Sequence, residues 1–414
     1  MAAAAVAIGA CDEQLTGGIA CPALCPGPAL TMRDTTLFAV VLDTSIAGFP
    51  ALGGEGRFYI ASLGDTLETA AAIRYDSLPK FFRGFNSPDD STINVIDTGS
   101  YVELEILARD TLALPTTIEL YDIEIDSVGD EDPTTVAAAF TPDRLLSSRT
   151  VPADSLRGTV RIPIDPNFLL SKILVVGVLN RVRLGVKVAQ TGNPRMTMLT
   201  DNSVGGATIV FRPSLDTLVP IIRVFPLSRR PAEAVIAREL ADYQVVIKGP
   251  PEPPPFVLRV GGLPSRRTYL RFDIPPAILD SSNVVRATLI LTQRPNPAAP
   301  EPTDTVSMGH FGVVAGAAVT DLSRALGFLQ RLANRDTINM VAADSGDRTF
   351  EMIDWVRLWR GTKPEKTPRA IAFATTLEGE IPRLADFFST EEVDASVRPR
   401  LRLTYLPRVG GPLP

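Results

Sequence analysis

The chain has 414 residues, of which 45% are hydrophobic, 7% aromatic and 21% charged, with a formal net charge of −6. This hydrophobic content excludes a mostly disordered chain, and the length favours two or three domains. The mild negative charge gives no electrostatic reason to bind nucleic acid, and no apolar run approaches the ~18–20 residues of a membrane-spanning helix.

Few residues of the chain suit metal or nucleophilic chemistry. The sequence contains 1 His and 3 Cys, whereas its 36 Pro residues favour many loops and strand edges over an all-helical fold. Composition therefore predicts a mostly β protein that is not an enzyme and has no cofactor. It does not identify a ligand.

Residues 1–11 match a bacterial lipoprotein signal that ends at the lipobox cysteine. Ile8-Gly9-Ala10-Cys11 is an aliphatic residue, two small residues that fit a signal peptidase cleft, and a thiol that carries the lipid. No Lys or Arg precedes the short apolar run, so a disordered Ala-rich tail is the alternative. The signal predicts lipidation of Cys11 and a place in the bacterial cell envelope, lipid-anchored to the outer membrane on its periplasmic or cell-surface face.

Residues 12–34 are rich in Gly and Pro and predict a tether. Cys21 and Cys25 lie within it, in the segment CPALCPGP. An exported chain meets an oxidising compartment, in which these two residues can form a local disulfide. Free thiols are the alternative, and a metal site is a third, although no further ligands lie nearby.

Residues 35–212 predict a first antiparallel β-sandwich, because short apolar runs alternate with Gly, Pro, Asp and Asn. Tyr101–Leu107 alternates polar and apolar residues as a half-buried strand does, and Thr117–Ile125 repeats the pattern. Such short runs fit an antiparallel sandwich better than parallel βαβ units. The other predicted strands are Val40–Leu42, Thr159–Ile164, Leu184–Ala189 and Thr208–Phe211.

An acidic turn in this half, Asp126–Asp132, is a candidate site for structural calcium. Calcium takes several oxygen ligands from one tight loop, and Gly129 provides the turn. The spacing is not that of an EF-hand, so a solvated turn is the alternative.

Residues 213–255 form a Pro-rich connection that ends in Gly249–Pro255 (GPPEPPP). Such a run favours an extended polyproline conformation. It is either a stiff linker or an edge segment of the second domain. Glu233–Leu240, within the connection, has the pattern of a short helix.

Residues 256–408 predict a second β-sandwich, and residues 409–414 a tail. The second half repeats the first at an offset of 198 residues at Phe58 and 197 at Arg74, which predicts two tandem copies of one domain and not a solenoid. The matched segments are Phe58–Ile60 with Phe256–Leu258, Ala72–Asp76 with Tyr269–Asp273, Tyr101–Leu107 with Val285–Thr292, and Thr208–Phe211 with Leu401–Tyr405.

Each copy also predicts one helix, Thr349–Arg360 in the second and Asp165–Leu179 at the matching place in the first. Trp355 and Trp359 lie four residues apart, and therefore on one side of the predicted helix. Apolar neighbours favour a core position for Trp355, and we expect Trp359 to be more exposed. Exposed rings would instead be ligand contacts, because Trp stacks on the apolar face of a sugar.

Three short segments of the second copy carry a family resemblance. They are Arg271–Pro275 (RFDIP), Ala287–Leu291 (ATLIL) and Ile353–Val356 (IDWV). With them, residues 256–408 resemble the DNRLRE-type β-sandwich domains of secreted bacterial proteins, which are allied to carbohydrate-binding modules. The first copy keeps only the arm Arg74–Pro79, and neither copy contains the literal DNRLRE motif. The resemblance implies two tandem jelly-roll-like sandwiches, each with a short helix, on an exported surface protein, and it implies no catalysis.

Two further sets of polar residues are candidate sites. Ser307 and Asp304 lie close to His310 in sequence, but no nucleophile-elbow pattern surrounds them, so we expect His310 on a strand or at the surface. Strand alternation places Arg271 and Asp273 on one face, where we expect them to pair or to brace a loop.

Together these patterns predict a non-catalytic envelope protein that acts in surface structure, adhesion or glycan binding. Its expected partners are the membrane, through the N-terminal lipid, and glycans or other envelope proteins. A polysaccharide-degrading hydrolase or lyase is the alternative, although the sequence does not place the two carboxylates that glycoside hydrolysis requires across a cleft. An accessory subunit of an outer-membrane complex is a further alternative.

Overall fold

The protein is mostly β, with two large antiparallel sheets and few helices, which confirms the predicted fold class. The α-helices are short: α1 (Pro133–Ala137), α2 (Pro166–Ile173), α3 (Pro276–Leu279) and α4 (Ile353–Trp359). None of the described helices is long and apolar enough to cross a bilayer. The computed structural model describes residues 31–38, 40–48, 55–76, 78–79, 81–83, 93–95, 101–108, 114–125, 133–153, 158–173, 181–189, 191–200, 206–212, 221–226, 242–313, 329–330, 337–361 and 369–408.

The strands are numbered in chain order. Those of the first part of the chain are β1 (Arg33–Leu37), β2 (Val40–Gly48), β3 (Arg57–Ser62), β4 (Glu68–Tyr75), β5 (Phe81–Arg83), β6 (Ile93–Val95), β7 (Tyr101–Ala108), β8 (Thr116–Asp122), β9 (Leu145–Val151), β10 (Gly158–Ile164), β11 (Val182–Val188), β12 (Arg195–Leu199), β13 (Thr208–Arg212), β14 (Ile222–Val224) and β15 (Tyr243–Lys248). Those of the second part are β16 (Val257–Gly261), β17 (Ser265–Phe272), β18 (Ser282–Arg294), β19 (Thr305–Val313), β20 (Leu329–Gln330), β21 (Thr337–Val341), β22 (Gly346–Glu351), β23 (Ala370–Thr375), β24 (Leu384–Phe388) and β25 (Arg400–Pro407).

The two large sheets have the same strand order. In the first, the neighbours run β13-β7-β12-β3-β4-β11-β8-β9, and β10 pairs with β7. In the second, they run β25-β18-β24-β16-β17-β23-β19-β20, and β22 pairs with β18. Strands of the first sheet therefore have counterparts in the second, in agreement with the tandem copies that the sequence predicts. Strands β5 and β6 form a separate hairpin.

Four strands join sheets to which the predicted boundaries did not assign them. Strands β1 and β2 precede the first sandwich in the chain but add to the second, where they pair with β25 and β17. Strands β14 and β15 come from the predicted Pro-rich connection and add to the first, where they pair with β13 and β4. Sheet membership therefore crosses the boundaries predicted at residues 35–212 and 256–408. Strand alternation could not reveal this, because it specifies a face and not a partner.

Each sandwich encloses a core formed by alternate strand residues. Leu104 and Ile106 of β7 face the core of the first, and Leu289 and Leu291 of β18 face the core of the second. All four are at most 1% exposed. The equivalent strands β7 and β18 thus run through the centre of the two cores.

The observed helices are shorter than the predicted ones. Thr349–Glu351 belongs to β22, because Phe350 lies opposite Leu289 of β18 and joins that ladder, so α4 begins only at Ile353. Helix α2 begins at Pro166, one residue after the predicted start at Asp165, and residues 174–180 lie outside the described residues. The predicted helix Glu233–Leu240 also lies outside them.

Candidate functional site

A cleft of about 290 Å³ opens where strands β16 and β24 meet the turn that follows β18. We call it the Arg259 cleft. Its floor is formed by residues of β16 and β24, and one wall is the Pro-rich segment 250–254. The turn 295–300 forms the other wall, and Thr66 of the first sandwich also lines the cleft.

The floor of the Arg259 cleft is a buried ion pair. Arg259 of β16 lies directly opposite Asp386 of β24. The Arg259 Nε donates to Oδ1 of Asp386 at 2.7 Å, and Nη2 donates to Oδ2 at 2.9 Å. Because both residues are buried, this two-pronged geometry is what offsets the cost of removing two charges from water.

Further hydrogen bonds hold the walls against this pair. Asn296 donates through Nδ2 to Oδ2 of Asp386 at 2.8 Å, which positions the turn after β18. Arg259 donates through Nη1 to the carbonyl of Pro251 at 3.3 Å, which holds the Pro-rich segment. The backbone N–H of Arg259 donates to Oγ of Ser45 at 2.9 Å, so strand β2 also contacts the floor residue.

Arg294, which lines the cleft, packs beside an aromatic ring outside it. The guanidinium of Arg294 lies 5.8 Å from the centre of the Phe388 ring, within the range of a cation–π contact. Arg294 lies opposite Asp386 in the β18–β24 ladder, and it is partly exposed. On the Pro-rich side, the exposed carboxylate of Glu252 pairs with Arg266.

A polar cluster beside the cleft joins the two sandwiches. Glu301 follows the cleft wall and has φ 72°, a left-handed conformation that is uncommon for a residue with a side chain. Its carboxylate accepts from the hydroxyl of Tyr59 at 2.9 Å and from Nε of Arg383 at 3.0 Å. Tyr59 belongs to β3 of the first sandwich, so this contact fixes the wall of the cleft relative to that sandwich.

A second ion pair joins the buried Arg267 of β17 to the partly buried Glu378. Arg267 donates to both oxygens of Glu378, at 2.7 and 2.6 Å. Burial lowers the pKa of Arg267, but the hydrogen bonds and charge of Glu378 outweigh it, so the pKa lies above its usual value. Burial also raises the pKa of Tyr269 on the same strand. Both groups therefore keep their ordinary charge at neutral pH, and neither is poised to transfer a proton.

The polar groups on the floor of the Arg259 cleft are few and held in place by hydrogen bonds. A guanidinium carries five N–H groups, and three of those of Arg259 are used by Asp386 and Pro251. Few, fixed polar groups within a concave site are typical of small-ligand sites. A second cleft of about 280 Å³ is lined by Thr305, Ser307, Asn339 and Thr375, among others.

The two tryptophans that the sequence marked as possible ligand contacts are buried. Trp355 is 1% exposed and Trp359 is 5% exposed, and both belong to the core of the second sandwich. Trp359 is the more exposed of the two, but its ring does not reach the surface as a sugar platform would. Both side chains therefore pack in the core.

His310 lies on β19 and is buried, among aromatic rings. Its ring centre is 5.9 Å from Phe350, 6.2 Å from Trp355 and 6.3 Å from Phe373. Ser307 lies an odd number of residues away on the same strand and thus on its opposite face. Asp304 pairs with Arg383 at 3.0 Å. The geometry does not assemble these residues into a triad.

Arg271 and Asp273, which the sequence predicts to pair or to brace a loop, are both described by the structure, and no ion pair joins them. The equivalent residues of the first copy do pair: Nε of Arg74 lies 2.8 Å from Oδ1 of Asp76, and the Arg74 side chain is 2% exposed. This pair lies at the end of β4.

Several predicted sites lie outside the described residues: Cys11, Cys21, Cys25 and the acidic turn Asp126–Asp132. Within the described part of the chain, no group of three or more His, Cys, Asp or Glu side chains could hold a metal ion.

Sequence reasoning missed Arg259, Asp386 and Asn296. The available signal was a charged residue inside an apolar run, in VLRVG for Arg259 and in LADFF for Asp386. A charge in a buried strand requires a partner. The identity of that partner depends on the pairing of β16 with β24, which the sequence does not show.

Comparisons with known proteins identify no family. No family model matches the chain, and no curated protein matches it. Among solved structures, the chain is similar to the tandem CBM22-1–CBM22-2 domain of Paenibacillus barcinonensis Xyn10C, at 8% identity and a TM-score of 0.14, over 89% of this chain and 96% of that chain. It is also similar to the VP2 subviral particle protein of infectious bursal disease virus, at 8% identity and a TM-score of 0.12, over 91% of this chain and 77% of that chain. Likenesses at these TM-scores carry no argument about this chain.

Proposed function

We propose that the chain is a non-catalytic, lipid-anchored protein of the bacterial envelope that binds a glycan in the Arg259 cleft. Membership of the DNRLRE-type domains is part of this proposal and rests on Arg271–Pro275, Ala287–Leu291 and Ile353–Val356. Adhesion or surface organisation would follow from glycan binding at an anchored sandwich pair.

The observation that carries the proposal is the buried ion pair of Arg259 and Asp386 at the floor of a cleft. Its two planar, charged groups are held rigidly by hydrogen bonds from both walls. Planar groups with fixed donors and acceptors match the paired hydroxyls of a sugar ring in geometry. Rigid placement also reduces the entropy lost when a ligand is bound.

The pairing of the carboxylates supports binding over hydrolysis. Glu252 and Asp386 are the carboxylates that line the Arg259 cleft. Glu252 pairs with Arg266, and both oxygens of Asp386 accept from Arg259. A glycosidase needs one carboxyl group to donate a proton and a second to contact the sugar or a water. Carboxylates engaged by arginine are poorly placed for either role.

A glycan array tests the proposal. The protein used is the full chain with Cys11→Ser, a substitution that prevents attachment of the lipid. We expect saturable binding to at least one class of bacterial or plant glycan. Arg294→Ala and Asn296→Ala should each weaken that binding by about tenfold or more, the cost of a lost charged or buried hydrogen bond. The matched control is Arg286→Ala, an exposed arginine on the same strand β18. A folded chain that binds no glycan, or variants that bind as the wild type does, would contradict the proposal.

The lipid anchor is tested separately. Ile8–Cys11 supports lipidation of Cys11, so the wild-type chain expressed in a bacterial host should fractionate with membranes. Cys11→Ser should move it to the soluble fraction or leave it unprocessed, whereas the control Cys21→Ser should remain with membranes. Identical fractionation of the wild type and Cys11→Ser would refute the anchor and leave the glycan proposal untouched.

A further inference from the structure

Strands β1 and β2 complete the second sandwich in the same way as β14 and β15 complete the first. Each of these two sets of strands is called a closing pair, although its members are not bonded to each other. Ser45 of β2 accepts a hydrogen bond from the backbone N–H of Arg259 at 2.9 Å. Gln244 of β15 accepts one from the backbone N–H of Tyr59 at 2.8 Å. Because Arg259 and Tyr59 lie on the equivalent strands β16 and β3, the two closing pairs are equivalent parts of the repeat.

The chain supplies these pairs by different routes. Strands β14 and β15 follow β13, the last strand of the first sandwich, and add to that same sandwich. The second sandwich instead receives β1 and β2, which lie before the first sandwich in the sequence. Residues 49–56 connect this pair to β3, so β1 and β2 reach the second sandwich from the other half of the chain.

Strands β1 and β2 bind at the surface of the second sandwich. No residue of these two strands, which the structure describes in full, is buried. By contrast, Tyr243, Gln244 and Val245 of the equivalent β15 are fully buried. Leu37, Val40, Leu42 and Ile46 are partly buried and pack against hydrophobic clusters of the second sandwich. Addition of strands to exposed sheet edges is a recurring mode of peptide recognition.

Side chains of β1 and β2 form hydrogen bonds that fix the position of these strands on the second sandwich. Oδ2 of Asp43 accepts from the backbone N–H of Thr390 at 2.9 Å and from its hydroxyl at 2.6 Å. Asp34 accepts from the hydroxyl of Thr404 on β25. These bonds distinguish one segment and one register from other strands of similar hydrophobicity.

We propose that the edges of β17 and β25 form a strand-acceptor site whose ligand is the strand pair of residues 33–48. In this structure the chain fills the site with its own segment. The same segment from a second copy presents identical chemistry, and its exchange would join copies of the chain by strand donation. The proposal is independent of glycan binding.

Cleavage of the full chain tests the proposal. A protease recognition sequence replaces residues 49–54, and the folded protein is cut between β2 and β3. The probe is a fluorescent peptide with the sequence of residues 31–48. In urea below the unfolding midpoint, we expect the cut chain to exchange its N-terminal fragment for one labelled peptide. The uncut chain should take up none, because its tethered segment occupies the site at a millimolar effective concentration.

The control peptide carries Asp43→Ala and loses both bonds to Thr390. It should bind about tenfold to a hundredfold more weakly than the native peptide, as expected for hydrogen bonds to a charged group. Equal binding of the two peptides would overturn the proposal, since it would indicate unspecific adsorption. The proposal would also be overturned if the cut chain stays folded but takes up no more peptide than the uncut chain. Loss of the cooperative melt on cleavage would also overturn it, because β1–β2 would then be an integral part of the fold.

Discussion

Arg259 and Asp386 are charged residues in the middle of otherwise apolar strands. Each satisfies the other, so removal of one leaves a buried charge without a partner. We expect Asp386→Ala to lower the free energy of unfolding by about 3–5 kcal/mol, measured by urea denaturation. Arg286→Ala, an exposed control, should change it by less than about 0.5 kcal/mol. The double variant Arg259→Met with Asp386→Leu should recover most of the loss, and a double variant as unstable as Asp386→Ala would contradict this reasoning.

Gly312 and Trp355 form a tight contact in the core of the second sandwich. A Cβ atom at Gly312 would overlap the six-membered ring of Trp355. We therefore expect Gly312→Ala to cost about 1–3 kcal/mol through overpacking. Trp355→Ala should cost about 3–5 kcal/mol because it leaves a cavity. The added methyl group can enter that cavity, so the double variant should be less destabilised than the sum of the two.

Thermal and urea melts of these variants provide the measurement. Leu358→Ala is the control, since it lies on the same helix α4 but is 43% exposed. Additive losses in the double variant, or a nearly unchanged melt for Trp355→Ala, would show that the ring does not fill the space beside Gly312.

Glu105 links three strands of the first sandwich. Its carboxylate accepts from Nε of Arg161 on β10 at 2.9 Å, and Arg223 on β14 donates to its other oxygen. Burial raises the pKa of Glu105, but the two arginines outweigh it, and the pKa lies below its usual value. Its contribution to stability is therefore present above the unfolded-state pKa and is lost as the pH falls through the folded-state pKa.

We expect Glu105→Gln to lower the free energy of unfolding at pH 7 by about 1 kcal/mol, a modest value because the arginines are partly exposed to solvent. The penalty should shrink as the pH falls below about 4, where the wild-type carboxylate also becomes neutral. Urea denaturation at pH 7 and pH 3 measures both values. A penalty of equal size at the two pH values would contradict the assigned ion pairs.

At the level of elements, local patterns predicted strands better than helix limits. Tyr101–Leu107 was predicted from its alternation, and the structure gives β7 as Tyr101–Ala108. The sequence pattern predicts a helix for Thr349–Glu351, because apolar spacing over so few residues fits the period of a helix as well as that of a strand. Pairing with β18 makes this segment a strand, and β18 lies some 60 residues earlier in the sequence.

The whole molecule is two similar sandwiches, and β1 and β2, which close the second, come from the first half of the chain. The tandem copies could be predicted, because a repeat is visible as a fixed offset. The crossing of β1 and β2 could not, since an edge strand fits either of two equivalent edges by its alternation. The Arg259 cleft was hidden for the same reason: Arg259 and Asp386 lie 127 residues apart and meet only through strand pairing.

The contact of Tyr59 and Glu301 predicts that the two sandwiches unfold together. Glu301 also binds Arg383, and Leu263 of the second half packs with Tyr59 and Leu67 of the first. We expect calorimetry of the wild type to give one transition and Glu301→Ala to split it into two. The control Asp354→Ala removes an exposed charge and should leave one transition. Two transitions in the wild type would show that the contact does not couple the sandwiches.

Binding of a glycan in the Arg259 cleft without its cleavage is the proposed function of the chain. Isothermal titration of an array-positive glycan into the wild type and Arg294→Ala, followed by mass analysis of the glycan after long incubation, tests it. We expect one binding site per chain, an affinity at least about tenfold lower for Arg294→Ala, and a glycan of unchanged mass. Equal affinities for the two proteins, or shortened glycan products, would contradict this proposal.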